Sequence, residues 1–158
     1  MTRYLLDTHV VYWWMTRSAR LSKAAIALIS HESCSVSVAS LWEMQLKHAT
    51  GKLALPVESL SSHLTAEGFG VLPITAGHVE RARQLGGLQS DPFDLLLAAV
   101  ADIERMTLLT KDGRLLSLGL KNIKEAKALM DARRTLEINQ CHAGIAVTIK
   151  TPGSRGPQ

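Results

Sequence analysis

One helix constrains the fold of this chain more than any other feature. Residues 95–101 read Leu-Leu-Leu-Ala-Ala-Val-Ala and directly follow Asp91, Pro92, Phe93 and Asp94. Proline suits the first position of a helix, Asp91 is a natural N-cap, and Asp94 falls in the first turn, where the helix dipole favours a carboxylate. Because the helix that follows is apolar on every side, we expect it to be buried in a core or pressed against another subunit. On these residues alone, both aspartates are explained as caps of a core helix.

Strand-like and helix-like segments alternate along the chain. The predicted strands are residues 3–7, 34–38, 71–74 and 107–110, and the predicted helices are residues 8–14, 22–29, 40–47, 56–67, 75–85 and 92–105. This alternation predicts an α/β fold with a parallel sheet covered on both faces. The length of 158 residues fits one domain with a real core. We expect residues 121–137 to add a helix, residues 145–149 to form an edge strand, and residues 151–158 to be disordered.

Composition and charge narrow the class of protein. No stretch of about 18 apolar residues occurs, so we expect no membrane span, and the N-terminal segment lacks the pattern of a signal peptide. Two cysteines do not form a disulfide framework, which favours a reducing cytoplasm. Residues 1–120 carry eleven Lys/Arg and eleven Asp/Glu, whereas residues 121–158 carry seven basic residues against three acids. Such a basic tail either attracts nucleic acid or forms a solvated surface.

Four acids are placed where an α/β sheet forms its ligand site, outside the carboxyl ends of the strands. Asp7 ends the first strand, and Asp112 lies just past the strand at 107–110. Glu43 sits early in the helix after the second strand, and Asp94 begins the apolar helix. Taken singly, each is explained by a turn, a cap or a solvated helix face. Their joint placement predicts a single cluster.

A cluster of carboxylates predicts a metal site. Two like charges about 4 Å apart repel by roughly 4 kcal/mol at an effective dielectric near 20, so the acids either share protons or bind a cation. Oxygen ligands favour magnesium or manganese over zinc. Such a metal activates water and stabilises a phosphodiester during in-line displacement, which suits hydrolysis of nucleic acid.

The chain resembles the PIN-domain ribonucleases, and among them the VapC-type toxins of toxin–antitoxin systems. The resemblance covers about residues 3–120 and is carried by five segments: Leu5-Leu6-Asp7-Thr8-His9 with Trp13-Trp14; Ser40-Leu41-Trp42-Glu43 with Lys47 and Gly51-Lys52-Leu53; Leu72-Pro73-Ile74-Thr75; Asp91-Pro92-Phe93-Asp94; and Leu108-Leu109-Thr110-Lys111-Asp112. It implies a three-layer α/β/α sandwich with a central parallel sheet, and a homodimer. It also implies an endoribonuclease that uses Mg²⁺ or Mn²⁺ on an RNA substrate and is inhibited by a cognate, VapB-like antitoxin.

Carried over residue by residue, the resemblance implies a catalytic and metal-binding set of Asp7, Glu43, Asp94 and Asp112. The resemblance also implies that Asp91 is a neighbouring acid or a helix cap. It implies that the hydroxyls of Thr8 and Thr110 orient carboxylates or water. Among nearby residues, the side chains of Lys47, Lys52, Lys111 and Arg114 either contact phosphates or are solvated, and Trp13, Trp14 and Trp42 either stack on bases or pack a core or dimer interface.

The chain departs from the family pattern in three places. Gly86 stands where a proline is usual, Gln89 where a histidine is usual, and Leu95 where an arginine usually follows Asp-Pro-Phe-Asp. None is one of the four acids, so the departures concern RNA positioning and antitoxin contacts rather than metal binding. We divide the chain into a PIN-like domain at residues 1–126 and a C-terminal extension of unknown role at residues 127–158.

Three other functions compete with this interpretation. An aspartyl-nucleophile phosphatase needs a second aspartate two residues after Asp7, where this chain has His9. A receiver-type signalling domain needs paired acids at the end of the first strand, which are missing. A catalytically weak or inactive PIN-like module that binds RNA or a protein without cleavage stays open.

Overall fold

A five-stranded parallel sheet forms the centre of the protein. The computed structural model describes residues 2–55, 58–86 and 91–126. Its strands are β1 (Arg3–Leu6), β2 (Ser33–Ser37), β3 (Gly70–Leu72), β4 (Thr107–Thr110) and β5 (Ile123–Glu125), and its helices are α1 (Thr8–Met15), α2 (Lys23–His31), α3 (Val38–Ala49), α4 (Leu60–Ala66), α5 (Ala76–Leu85), α6 (Pro92–Ile103) and α7 (Gly113–Ser117). The strand order is β3-β2-β1-β4-β5 and every pairing is parallel.

The sheet is buried on both faces. Successive residues of β1 belong to different apolar clusters: Tyr4 and Leu6 pack with residues of α1, α2 and α4, whereas Leu5 packs with residues of α6 and α7. The same alternation separates Leu109 from Leu108 in β4, as the period of two along a strand requires. The predicted α/β fold and the three-layer α/β/α sandwich are confirmed.

The topology places a crevice at the carboxyl ends of β1 and β4. The chain moves outward from β1 to β2 and β3, then crosses back so that β4 pairs with the other side of β1. Strand order reverses at this point, and α/β proteins bind their ligands at such a switch point. Two of the four predicted site residues, Asp7 and Asp112, follow these two strands.

Helix α6 begins and is buried as its sequence predicts. The Asp91 side chain accepts hydrogen bonds from the backbone N–H groups of Phe93 (2.9 Å) and Asp94 (3.4 Å), and Leu97–Ala101 are fully buried. The predicted caps Ser22 and Thr75 also begin their helices, α2 and α5. In the part of the chain that the structure describes, no helix is both long enough and apolar enough to cross a bilayer.

The C-terminal part of the domain differs from prediction. The helix predicted over residues 121–137 is wrong at its start, because β5 forms there as an edge strand on β4. Its ends are fixed by backbone hydrogen bonds from Leu108 to Asn122 (2.8 Å) and from Ala126 to Thr110 (3.0 Å). A three-residue strand is too short to show a period of two in the sequence. The extension at residues 127–158, with its predicted edge strand and disordered end, lies outside the described residues.

Two smaller differences have local causes. The helix predicted from residue 56 begins only at Leu60, because Ser59 has a φ of 57° and a left-handed residue ends helical geometry; residues 56 and 57 lie outside the described residues. The helix α7 was not predicted, and Asp112 caps it by accepting the Arg114 N–H at 2.8 Å.

Gly86, one of the departures from the family pattern, makes room for Leu95, another. A Cβ atom built on Gly86 would lie 2.4 Å from Leu95 Cδ2 and 2.6 Å from Cδ1, well inside van der Waals contact. The φ of Gly86 is −137°, so a larger residue at this position would meet no backbone strain, but the Leu95 side chain would have to shift to make room for it. The two departures are therefore one packing arrangement between the end of α5 and the start of α6.

We predict that Gly86→Ala has opposite effects on stability in two backgrounds. With Leu95 present, the substitution should lower the free energy of unfolding by about 1 kcal/mol, because overpacking strains the contact. With Leu95→Ala, it should raise that free energy by about 0.4–1 kcal/mol, because alanine restricts the unfolded chain. Urea denaturation of the four proteins of this cycle measures the difference, and equal effects in both backgrounds would contradict the contact.

Candidate active site

Asp7 is the buried centre of the site. It is 2% exposed, its backbone N–H donates to the Leu109 carbonyl at 3.0 Å, and its carboxylate accepts a hydrogen bond from Thr110 Oγ1 at 2.7 Å. Burial raises the pKa of Asp7, the Thr110 hydrogen bond lowers it, and the charges of Glu43 and Asp112 raise it again. The ends of β1 and β4 thus hold one carboxylate between them.

Thr110 also fixes the loop that carries Asp112. Its Oγ1 accepts the backbone N–H of Asp112 at 2.9 Å while donating to Asp7. One hydroxyl therefore joins two of the predicted site residues. The orienting role that the resemblance implies for Thr110 agrees with this geometry.

Asp94 lies beside Asp112, and a single arginine faces both. Arg114 Nη2 lies 3.1 Å from Asp112 Oδ2 and 3.8 Å from Asp94 Oδ2. The pKa of Asp94 is raised to about 7, by burial first and then by the charges of Asp91, Asp112 and Asp7, while the charge of Arg114 lowers it. The hydrogen bond from Arg114 lowers the pKa of Asp112. Asp94 is thus a carboxyl group that changes charge near neutral pH.

Glu43 reaches the site from α3 and has partners of its own. Thr8 Oγ1 donates to Glu43 Oε2 at 2.6 Å, and Lys47 Nζ lies 2.6 Å from Glu43 Oε1 one turn further along the helix. The charge of Glu43 acts on the pKa of Asp7, so the two carboxylates are electrostatic neighbours. Thr8 therefore orients a carboxylate, as the resemblance implies.

The structure brings the four predicted acids to one edge of the sheet, where Thr110 bonds Asp7, Lys47 pairs with Glu43, and Arg114 faces both Asp94 and Asp112. Asp7 interacts with both Glu43 and Asp112, and Asp94 interacts with both Asp112 and Asp7. Within residues 2–55, 58–86 and 91–126, however, no three His, Cys, Asp or Glu side chains converge closely enough to hold a metal ion as they stand. The four carboxylates are therefore electrostatic neighbours, but among the described residues they do not form a complete set of metal ligands.

Sequence reasoning missed the role of Arg114 at the acids. It left Arg114 as either a contact with phosphates or a solvated residue, and it noted that position 95 lacks the arginine that the resemblance implies there. The structure places a guanidinium beside Asp94 from a different element, α7. Because twenty positions separate the two residues and α7 itself was not predicted, no local pattern could have indicated this contact.

Comparison with known proteins assigns the family. The PIN domain profile matches residues 4–121, and Ribonuclease VapC22 of Mycobacterium tuberculosis is 37% identical over 121 residues, which cover 74% of this chain and 92% of the relative.

Three solved structures share the fold. A toxin-antitoxin complex from Klebsiella pneumoniae has a TM-score of 0.57 at 18% identity and covers 78% of this chain and 97% of its own. VapBC2 from Rickettsia felis, bound to a promoter DNA fragment, has a TM-score of 0.58 at 18% identity, over 78% of this chain and 98% of its own. PAE2754 from Pyrobaculum aerophilum has a TM-score of 0.55 at 20% identity, over 85% of this chain and 96% of its own. The chain therefore belongs to the PIN domain family, among its VapC-type members.

Proposed function

We propose that this protein is a metal-dependent endoribonuclease that hydrolyses RNA phosphodiester bonds as the toxin of a type II toxin–antitoxin pair. The observation that carries the proposal is the grouping of Asp7, Asp94 and Asp112 from three elements at the switch point of the sheet, with raised pKa values at Asp7 and Asp94. Membership of the PIN family and the likeness to a protein named as a ribonuclease support it.

The donor set fits a hard divalent cation. All four side chains offer carboxylate oxygens, the ligands that Mg²⁺ and Mn²⁺ prefer. Asp7 and Asp94 are held with raised pKa values by burial and by neighbouring carboxylates, and a cation would relieve both effects. Arg114 balances Asp94 and Asp112 in the protein alone, and a bound cation would take over that role.

In this proposal each residue has a distinct role. Asp7, Asp94 and Asp112 hold the metal, and Glu43 completes the set directly or through water. A bound divalent ion supplies an activated water and charge stabilisation for the phosphodiester. Thr110 keeps the Asp7 carboxylate aimed into the crevice, and Thr8 does the same for Glu43. Arg114, once released, is placed to face a phosphate.

The proposal includes two protein partners. A cognate, VapB-like antitoxin is supported by structural neighbours that are themselves toxin-antitoxin or VapBC complexes. A second copy of the chain is supported by Val38, Trp42 and Leu46, which are spaced four residues apart on one side of α3 and are 41%, 54% and 40% exposed. A cytoplasmic location, where RNA is accessible, is part of the same proposal.

Binding without cleavage is the second candidate function. It is favoured by the ion pairs that Arg114 and Lys47 make with the acids and by the lack, among the described residues, of three ligands already converged on a metal. In that case the protein binds RNA or its partner while the carboxylates stay paired.

We predict that Asp94→Asn abolishes RNA cleavage. Purified protein should cut RNA with Mg²⁺ or Mn²⁺ and stop when EDTA is added, and the variant should lose about a hundredfold or more of the rate, since even partners of metal ligands are worth about 10–100-fold. Glu80→Gln, at an exposed position of α5, is the matched control. Cleavage by Asp94→Asn at the wild-type rate would refute the site, and circular dichroism checks that the variant is folded.

We predict that the metal-free protein loses stability as pH rises. The pKa of Asp94 is about 7 in the folded state against 3.8 for the ordinary group, so the folded state binds the proton more tightly and stability declines between these two values. Thermal unfolding in EDTA should show this decline, and Asp94→Asn should flatten part of it. Mn²⁺ should raise the melting temperature more at pH 8 than at pH 6. Parallel pH profiles for both proteins would contradict the assignment.

We predict that Leu46→Glu converts the protein to a monomer, because it places an unpaired charge in the proposed apolar contact. Light scattering after size-exclusion chromatography measures the mass. Ile26→Glu is the control, since Ile26 is 42% exposed on a different helix, α2. A wild-type protein that is already monomeric, or a variant that stays dimeric, would rule out this face.

A further inference from the structure

A cavity beside the acids combines aromatic and basic side chains. It encloses about 250 Å³ between α1 and the segments that follow α1 and α3, and its lining includes Thr8, His9, Trp13, Arg20, Lys47 and Lys52. We call it the Trp13 cavity. Its volume is below the roughly 300–1,000 Å³ of pockets for drug-sized molecules and suits a fragment such as a single nucleotide.

Basic side chains predominate at the Trp13 cavity. Three of its lining residues are cations, and none of the described residues that line it is acidic, although Lys47 is compensated by its ion pair with Glu43. Lys111 approaches the same indole from outside the lining: its Nζ lies 5.7 Å from the Trp13 ring centroid and donates to the Arg20 carbonyl at 2.6 Å, while Arg20 Cζ lies 6.0 Å from the centroid. Because the charges of Arg20, Lys52 and Lys111 repel one another, a phosphate anion among them would be favoured.

The aromatic part of the cavity offers a surface for a nucleobase. Trp13 is only partly buried, and the His9 ring lies 6.0 Å from it at an angle of 36°. Proteins that bind single-stranded nucleic acid combine such rings, on which bases stack, with a basic groove that follows the backbone. Phosphate alone would not need the indole, so the combination indicates a nucleotide.

The cavity adjoins the carboxylates directly. Its wall residue Thr8 donates to Glu43 at 2.6 Å, and Lys47 lies 2.6 Å from Glu43 Oε1 and 3.5 Å from His9 Nε2. The charge of His9 also acts on Asp7 and Asp112. An RNA strand with one phosphate at the acids would therefore pass its neighbouring nucleotide into the cavity.

We propose that the Trp13 cavity is a positioning subsite for one nucleotide of single-stranded RNA next to the scissile phosphodiester, with the base on Trp13 and the phosphate at Arg20, Lys52 and Lys111. This inference rests on the proposed nuclease function. Trp13 also contributes to a larger groove of about 580 Å³, whose lining is mostly apolar and carries one cation and one acid, Arg17 and Glu67. That mixed, largely apolar lining fits a protein segment better than RNA, in contrast to the basic lining of the Trp13 cavity.

The test measures binding without cleavage. Fluorescence anisotropy in EDTA follows a short labelled oligoadenylate and the matching strand without bases, for wild type, Trp13→Leu and Trp13→Phe. Trp13→Leu should weaken binding of oligoadenylate by about 5- to 150-fold, the range for loss of one stacked base, and should change binding of the abasic strand little. Trp13→Phe should keep most of the affinity because it keeps a ring. Trp14→Leu is the control, since Trp14 packs on Phe69 and donates to Glu67 instead.

A second readout separates the phosphate contact from the base contact. Lys52→Gln should reduce the slope of log affinity against log salt by about 0.7, the value for one phosphate on a single strand, whereas Trp13→Leu should leave the slope unchanged. Thermal unfolding shows whether each variant is folded.

Three outcomes would overturn the subsite. In the first, Trp13→Leu weakens binding of oligoadenylate and of the abasic strand equally. In the second, Trp13→Leu and Trp14→Leu change the affinity for oligoadenylate by the same factor. In the third, Trp13→Leu binds RNA with wild-type affinity but no longer binds a protein partner. If wild type cleaves RNA and Trp13→Leu binds and cleaves equally well, the subsite is wrong and the nuclease proposal stands. If wild type neither binds nor cleaves RNA, the nuclease proposal itself fails.

Discussion

The pairing of β1 with β4 at the centre of a sheet buried on both faces is the constraint on which this structure depends. A strand in that position accepts apolar side chains along its whole length, and polar groups can begin only where the strand ends. Asp7 and Thr110 stand at those ends and satisfy each other with a 2.7 Å hydrogen bond. The chemistry of the protein is thus concentrated at one edge because the rest of the sheet excludes it.

Electrostatics then decide how the edge is arranged. Several carboxylates are gathered in a partly buried crevice, and the chain balances them with cations from neighbouring turns: Lys47 for Glu43 and Arg114 for Asp112 and Asp94. Asp7, the most buried of the four acids, is bonded by the Thr110 hydroxyl and is stabilised in its charged form by His9. Lys47 and Arg114 pair with these acids when no ligand is bound. Lysine and arginine are also residues that contact phosphates in protein–nucleic acid complexes.

Much of the fold could be predicted because its signals are local. The caps Ser22, Thr75 and Asp91 lie within three residues of the N–H groups they satisfy, and the apolar run of α6 shows its burial directly. β5 could not be predicted, because its stability comes from the free edge of β4 and not from its own three residues. For the site, positions at strand ends and helix starts were sufficient to bring four acids together, since topology alone determines that edge. Side-chain partners such as Arg114 depend on rotamers and on α7, which the sequence does not reveal.

The close contact between Gly86 and Leu95 makes the two positions depend on each other. A side chain at position 86 would need the space that the end of the Leu95 side chain now occupies. The size of one residue therefore limits the size of the other, and the effect of a substitution at either position is set by the residue present at its partner.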